Sequence, residues 1–164
     1  MADHGPKALV ITAAGINCDL ELAQSFRDAG AQPECVLLSE LVRNPARIDN
    51  YRLIGLPGGF SFGDDIAAGR IMGALIRQSI YPALAAAIER GVPMICPCNG
   101  FQIAVQAGLL PGPAAGASWP AEAASPTVAL AQNQGGAFRD IWTRVEIPAD
   151  TRCVWTQGLE LDDS

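Results

Sequence analysis

Residues 93–108 read PMICPCNGFQIAVQAG. An apolar strand-like stretch (Pro93 to Cys96) runs through a tight turn into an amphipathic helix that Gly108 closes. A strand passing this directly into a helix is the signature of an α/β layer. In such sheets ligands bind at the carboxyl edge, where the turn residue sits. Here that residue is Cys98. The turn has the form of a nucleophile elbow, which presents a side chain outward while the next backbone N–H supplies half of an oxyanion hole. The partial positive charge of a helix N-terminus favours an anionic sulfur at such a place.

The segments on either side repeat the alternation. KALVIT (residues 7–12) is a nearly all-apolar strand, suited to burial on both faces of a parallel sheet. DLELAQSFRDAG (19–30) places Leu22, Phe26 and Ala29 on one helical stripe with Gly30 as its stop. ECVLL (34–38) is a second strand, after which Ser39 caps a short helical turn limited by Pro45. YRLIGL (51–56) is a third strand and leads into the glycine-rich PGGFSFGDD (57–65). YPALAAAIERG (81–91) is a helix with Pro82 near its start and Gly91 past its end. The pattern predicts right-handed crossovers in a doubly wound, mostly parallel sheet with helices on both faces. After Pro111 an Ala-, Pro-, Gly- and Ser-rich loop precedes TVALAQ (127–132) and DIWTRVEIP (140–148). These two read as antiparallel additions to the sheet after about residue 125, joined by a turn at NQGG.

Composition narrows the chemistry. The chain of 164 residues is 49% apolar and 17% charged, the size and makeup of one globular domain. A net charge of −6 and the lack of any basic cluster argue against nucleic acid. No stretch reads as a membrane span or signal peptide, so the cytoplasm is expected. Five cysteines without regular spacing fit reduced thiols. Cys96 and Cys98 lack the further ligands that a zinc site needs, so no metal is expected. The 57–65 loop lacks the Lys-Ser/Thr ending of a phosphate-binding loop. Its Gly58 and Gly59 let backbone approach a substrate closely and offer the other half of an oxyanion hole. Cys35 and Cys153 read as small buried apolar residues; Cys18 shares the sheet edge with Cys98, which makes it a neighbour of the site by position, but a structural role is its expected one. Adjacent Asp64 and Asp65 read as solvated or capping carboxylates.

Several of these strings together resemble a known family. GINCD (15–19), PGGFSFGDD (57–65) and CNGFQIAVQAGLLPG (98–112), with NQGGAFRDIW (133–142) as a weaker match, are similar to the glutaminase subunits of phosphoribosylformylglycinamidine synthase. These are class I glutamine amidotransferases with a flavodoxin-like sheet. The resemblance implies that Cys98 attacks the side-chain amide of L-glutamine and forms a glutamyl thioester as ammonia leaves. It implies an oxyanion hole at Gly59 and Asn99, and substrate binding by Gly58, Phe60 and Gln102. It also implies a large ATP-dependent synthetase subunit as partner, with a small third subunit in some bacteria. That synthetase amidates formylglycinamide ribonucleotide in purine biosynthesis. ATP and magnesium then belong to the partner, and this chain carries no cofactor.

The sequence departs from the family at two places. Cys96 stands where members have glycine and crowds the turn. Pro97 stands where they have a residue other than proline, removing a backbone donor and fixing φ. The turn is nonetheless expected to form with Cys98 exposed. Members also carry a His-x-Glu pair near the C-terminus, the histidine moving protons and the glutamate orienting it. None occurs in this chain, whose only histidine is His4. His4 precedes the first strand, which puts it at the amino edge, about 20 Å from the carboxyl edge. The expectation is a single amidotransferase-like domain over 1–164, short of the C-terminal part that carries His and Glu, and weakly active or inactive. Two other readings stand beside it. One is a non-catalytic module docking to the synthetase; the other is a thiol hydrolase or redox sensor using Cys98 with Asp64 or Glu21.

Overall fold

A computed structural model describes residues 5–157 except 115, 150 and 152. The chain divides into two compact units, Met1–Leu130 and Ala131–Ser164. The first unit holds a four-stranded parallel sheet in the order β2-β1-β3-β4, built from Lys7–Thr12 (β1), Gln32–Leu37 (β2), Leu53–Gly55 (β3) and Met94–Ile95 (β4). Five helices accompany it: Asp19–Asp28 (α1), Leu38–Arg43 (α2), Arg70–Ser79 (α3), Tyr81–Glu89 (α4) and Asn99–Ala107 (α5). This is the doubly wound α/β architecture that the alternation predicts.

Strand β1 organises both faces of the sheet. Ala8 to Ile11 are completely buried, and their side chains alternate between two cores. Ala8 and Val10 pack with Leu22, Ala23 and Phe26 of α1. Leu9 and Ile11 join the larger core on the other face, with Met72, Ile76, Leu84 and Ile103. Only Val36 of β2 is fully buried, as befits an edge strand. Prolines bound the short β4: Pro93 precedes it and Pro97 follows its end, and neither has an N–H to donate to a ladder.

Glycine contacts decide how closely α5 seats. A Cβ on Gly100 would lie 1.9 Å from the carbonyl oxygen of Leu56, at the end of β3. One on Gly73 of α3 would lie 2.5 Å from Cβ of Gln106, and one on Gly69 2.8 Å from the backbone nitrogen of Ile103. Helix α5 is thus held against both the sheet and α3 at distances that side chains would prevent.

The structure corrects several expectations. Helix α3 was not foreseen; its signal is Met72 and Ile76, one turn apart and both buried, which the flanking glycines obscure. Ser39 lies inside α2 rather than capping it, because β2 passes straight into a helix started by Leu37, with Leu38 and Leu41 in the core. Ala29 is exposed at the end of α1, and Ala23 completes the buried stripe instead. The third strand spans three residues rather than six. Cys35 and Cys153 are exposed, one on the edge strand and one in the second unit.

The two antiparallel additions after about residue 125 are not strands among the described residues. The turn between them does form: the N–H of Gly136 donates to the carbonyl of Asn133 at 2.8 Å, with Gly135 at φ 88°. An alternating pattern makes a strand only where a partner completes the ladder, and none does so here; Ile141 and Trp142 are exposed. His4 lies outside the described residues.

Gly73→Ala is predicted to lower stability by about 1–3 kcal/mol through overpacking, despite the roughly 1 kcal/mol that alanine gains within a helix. The check is the urea unfolding midpoint at unchanged slope. A midpoint at or above that of the parent would show that α5 can move away from α3 without cost.

Candidate active site

Three loops leave the carboxyl ends of β1, β3 and β4 and meet around Gly58. A Cβ built on this buried glycine would stand 3.4 Å from Cβ of Cys98 and 3.7 Å from both Cβ and Sγ of Cys18. The loops after β1 and β3 are also stitched together. The N–H of Cys18 donates to Gly58 O (3.3 Å), that of Phe60 to Gly15 O (2.9 Å) and that of Phe62 to Ala14 O (2.7 Å). Ile16 and Gly59 face each other in an antiparallel bridge between these bonds. In such a non-hydrogen-bonded pair the N–H points away from the partner strand, so the Gly59 N–H is turned away from Ile16. Only glycine fits at Gly15, where a Cβ would fall 2.0 Å from the carbonyl oxygen of Phe60. The sheet order reverses between β1 and β3, so this crevice lies at the switch point where α/β sheets bind ligands.

Backbone strain concentrates in the same place. Among the described residues, the non-glycine positions with positive φ are Phe62 (54°), Asp64 (55°) and Cys98 (52°). Each costs on the order of 1–3 kcal/mol and persists only where surrounding contacts enforce it. Cys98 has ψ −116° and immediately precedes the first residue of α5. Its carbonyl accepts from the N–H groups of Phe101 (3.0 Å) and Gln102 (3.3 Å), so its backbone is the helix cap while its side chain is exposed. The N–H of Asn99, first in the helix, is among those that a helix leaves without an internal acceptor.

The structure brings the predicted site residues together. Gly58 lies where a side chain would meet Cys98, Gly59 and the 62% exposed Phe60 follow it in the loop, and Asn99 and Gln102 occupy the first turn of α5. Gln102 is not free: its Oε1 accepts from Nδ2 of Asn99 at 2.9 Å. Asp64 is also nearby, with Oδ1 3.5 Å from the same Nδ2. Its hydrogen bond runs to Asn99 rather than to Cys98. Glu21 lies in the first turn of α1, where its carbonyl accepts from the hydroxyl of Ser25.

Cys18 is exposed rather than buried and borders the site, opposite Cys98 across Gly58, at the sheet edge where its loop places it. Two further features were not anticipated. The side chain of Asn99 is buried, whereas only its backbone was assigned a role. Gly15 locks two of the sequence motifs together; its place in GIN, directly after a strand, was the available signal. A mostly apolar cavity of about 510 Å³ lies elsewhere on the carboxyl edge, lined by residues including Ala13, Leu38, Val42 and Leu75. It contains none of the predicted site residues. Among the described residues no cluster of His, Cys, Asp and Glu is grouped to hold a metal ion.

The two cysteines of the turn differ in environment. Cys96 packs against the larger core, and burial pushes its thiol up to about 12, opposed only by a hydrogen bond with the backbone of Leu56. The neutral thiol is thus the form that the fold favours. Its contribution is complete below the ordinary thiol value of 9.0 and is lost as pH rises from there through about 12. At pH 8 iodoacetamide is predicted to modify Cys98 and the other exposed cysteines while sparing Cys96 until the protein unfolds. Peptide mass spectrometry reads this directly, and early labelling of Cys96 would contradict the assignment.

Comparison with known proteins places this geometry among relatives. The sequence profile of the CobB/CobQ-like glutamine amidotransferase domain matches residues 5–163. The chain is 34% identical over 154 residues to a phosphoribosylformylglycinamidine synthase subunit PurQ from Dehalococcoides mccartyi, covering 94% of this chain and 57% of that protein. The corresponding subunit of Zymomonas mobilis is 41% identical over 107 residues, covering 65% and 45%. A solved structure of PurLQS from Thermotoga maritima superposes with a TM-score of 0.54 at 37% identity, covering 66% of this chain and 47% of that one. The chain spans a little over half the length of the first of these relatives.

Proposed function

Because the chain belongs to the CobB/CobQ-like glutamine amidotransferase family, we propose that Cys98 is the nucleophile of a glutaminase, the subunit that supplies ammonia to phosphoribosylformylglycinamidine synthase. The observation that carries the reading is the strained, exposed Cys98 at the mouth of α5, with the Gly58–Gly59 backbone beside it. L-Glutamine is the substrate. The sulfur attacks the amide carbon, the C–S bond forms, and the carbonyl electrons move to oxygen. The N–H groups of Gly59 and Asn99 hold that oxyanion. Collapse expels ammonia and leaves a glutamyl thioester, which water converts to glutamate. Gly58 and Phe60 border the glutamine, and the amide of Gln102, its oxygen already engaged by Asn99, keeps its NH₂ for the substrate.

The ammonia passes to a large ATP-dependent synthetase subunit, where ATP, magnesium and formylglycinamide ribonucleotide bind; a small third subunit belongs to the same assembly in some bacteria. The naming of the Thermotoga maritima assembly as PurLQS supports this partnership. The cytoplasm is the proposed location. No single helix among the described residues is long and apolar enough to cross a membrane. The bent pair α3 and α4 passes such a test together, but its apolar residues Met72, Ile76 and Leu84 lie in the protein core.

Proton transfer is the step these residues do not supply. An oxyanion hole stabilises the tetrahedral intermediate but cannot protonate departing ammonia, and the one histidine precedes β1. General acid–base help is worth about 10²- to 10⁴-fold. The 164-residue chain is therefore predicted to release ammonia from glutamine slower than a full-length relative by about that factor, with Cys98→Ala removing what remains. A coupled ammonia assay checks this. Release that survives Cys98→Ala would overturn the reading, and turnover equal to that of a full-length relative would show that another group acts as the base.

A further inference from the structure

Asn99 is 1% exposed and polar, at the first residue of a helix, where side chains ordinarily reach solvent. Both ends of its amide are engaged. Oδ1 accepts from the N–H of Ser61 at 3.2 Å, and Nδ2 donates to Oε1 of Gln102 at 2.9 Å and to Oδ1 of Asp64 at 3.5 Å. The orientation of the amide follows from these partners: only its oxygen can face an N–H, and only its nitrogen can face a carbonyl and a carboxylate. Asn99 thus grips the 57–65 loop just before the left-handed run Phe62, Gly63 and Asp64 and at its last residue. The far side of that loop is held by backbone bonds to Ala14 and Gly15. On the near side, among the described residues, every hydrogen bond between the loop and α5 passes through the Asn99 side chain.

Resting on the glutaminase reading, we propose that the Asn99 side chain is a positioning residue that fixes the spacing between the two oxyanion donors, the N–H groups of Gly59 and Asn99. The two donors sit on different elements, one on the loop after β3 and one on α5. The packing of Gly100 on Leu56 sets the height of α5 over the sheet, and the bonds to Ala14 and Gly15 tie the loop to the chain after β1, but neither joins the loop to α5 directly. The Asn99 amide, with an acceptor at one end and a donor at the other and short enough to stay buried, makes that joint. Aspartate lacks the donor, and alanine or serine is too short to bridge Ser61 and Gln102. Misplacing one donor by about 1 Å weakens stabilisation of a tetrahedral oxyanion by up to about 100-fold, whereas simple alkylation of the thiol has no such requirement.

The test separates these two chemistries. In water L-glutamate γ-semialdehyde is mostly its cyclic imine, in equilibrium with the hydrated open chain. That ring–chain equilibrium is the same for parent and variant and leaves the ratio between them unaffected. The open-chain aldehyde adds to the thiol: the C–S bond forms, the carbonyl π pair moves to oxygen, and the thiol proton ends on that oxygen. The adduct therefore places its oxygen in the oxyanion hole. The readout is the aldehyde concentration that half-protects Cys98 from iodoacetamide, followed by mass spectrometry. Asn99→Ala is expected to raise this concentration by about 10- to 100-fold while the iodoacetamide rate without aldehyde stays within about twofold. Hydrogen exchange over residues 58–64 is expected to rise in the same variant. Protection of the parent with Asn99→Ala within about twofold of it overturns the positioning role alone. No protection of the parent overturns the glutaminase reading and the proposal with it. Circular dichroism reports whether the variant folds, and Asn99→Ser serves as the second variant with the same expected loss. If neither folds, Asn99 is a folding determinant and the proposal is overturned.

Discussion

The contact between Gly100 and the carbonyl oxygen of Leu56 is what the rest of the site depends on. It lets the first turn of α5 rest on the end of β3 at a distance that any side chain would forbid. Gly69 and Gly73 of α3 hold the same helix from the other side, near Ile103 and Gln106. With α5 fixed in this way, the chain leaving β4 must turn within three residues, Cys96 to Cys98, and Cys98 absorbs the turn at φ 52°. The exposure of Cys98 is therefore a consequence of packing. The core beneath it is large enough to enforce the strain, since Leu56, Met72, Ile76 and Ile103 are all fully buried.

The second constraint is the pairing of the loops after β1 and β3. Gly15 must be glycine because the carbonyl of Phe60 occupies the place of its side chain, and Gly59 must be glycine because Asn17 and Ile16 crowd it. These loops diverge from the sheet at its switch point and yet are bonded to each other, so the crevice has a defined floor. Strain, close backbone approach and an exposed thiol then coincide at one place. A packing defect would scatter such features, whereas a functional site gathers them, and the proposed nucleophile and its two N–H donors lie here.

Much of this was legible in the sequence because it is local. The alternation of KALVIT, DLELAQSFRDAG and PMIC with the helix behind it specifies a parallel layer, and the Cys-Asn-Gly turn specifies an elbow. The glycines of PGGF announced close backbone approach. What escaped depends on the third dimension. Gly69 and Gly73 look like loop glycines until α5 is placed against them, which hid α3. The side-chain role of Asn99 requires knowing that residues 38 positions apart in sequence, Ser61 and Asn99, touch. Cys18 was legible as far as its sheet edge, but its exposure and its place across Gly58 from Cys98 were not. TVALAQ and DIWTRVEIP show the opposite failure: a pattern suited to strands does not form them where, among the described residues, no ladder partner is present.

The central claim is that Cys98 is selected by position as a nucleophile for a glutamine side chain, among four exposed cysteines. The most direct measurement is alkylation of the whole chain by the diazoketone analogue of L-glutamine, mapped by peptide mass spectrometry with and without competing glutamine. Label on Cys98 in preference to Cys18, Cys35 and Cys153, suppressed by glutamine, is the predicted result. Label spread over the exposed cysteines in the proportions that iodoacetamide gives, and indifferent to glutamine, would contradict it.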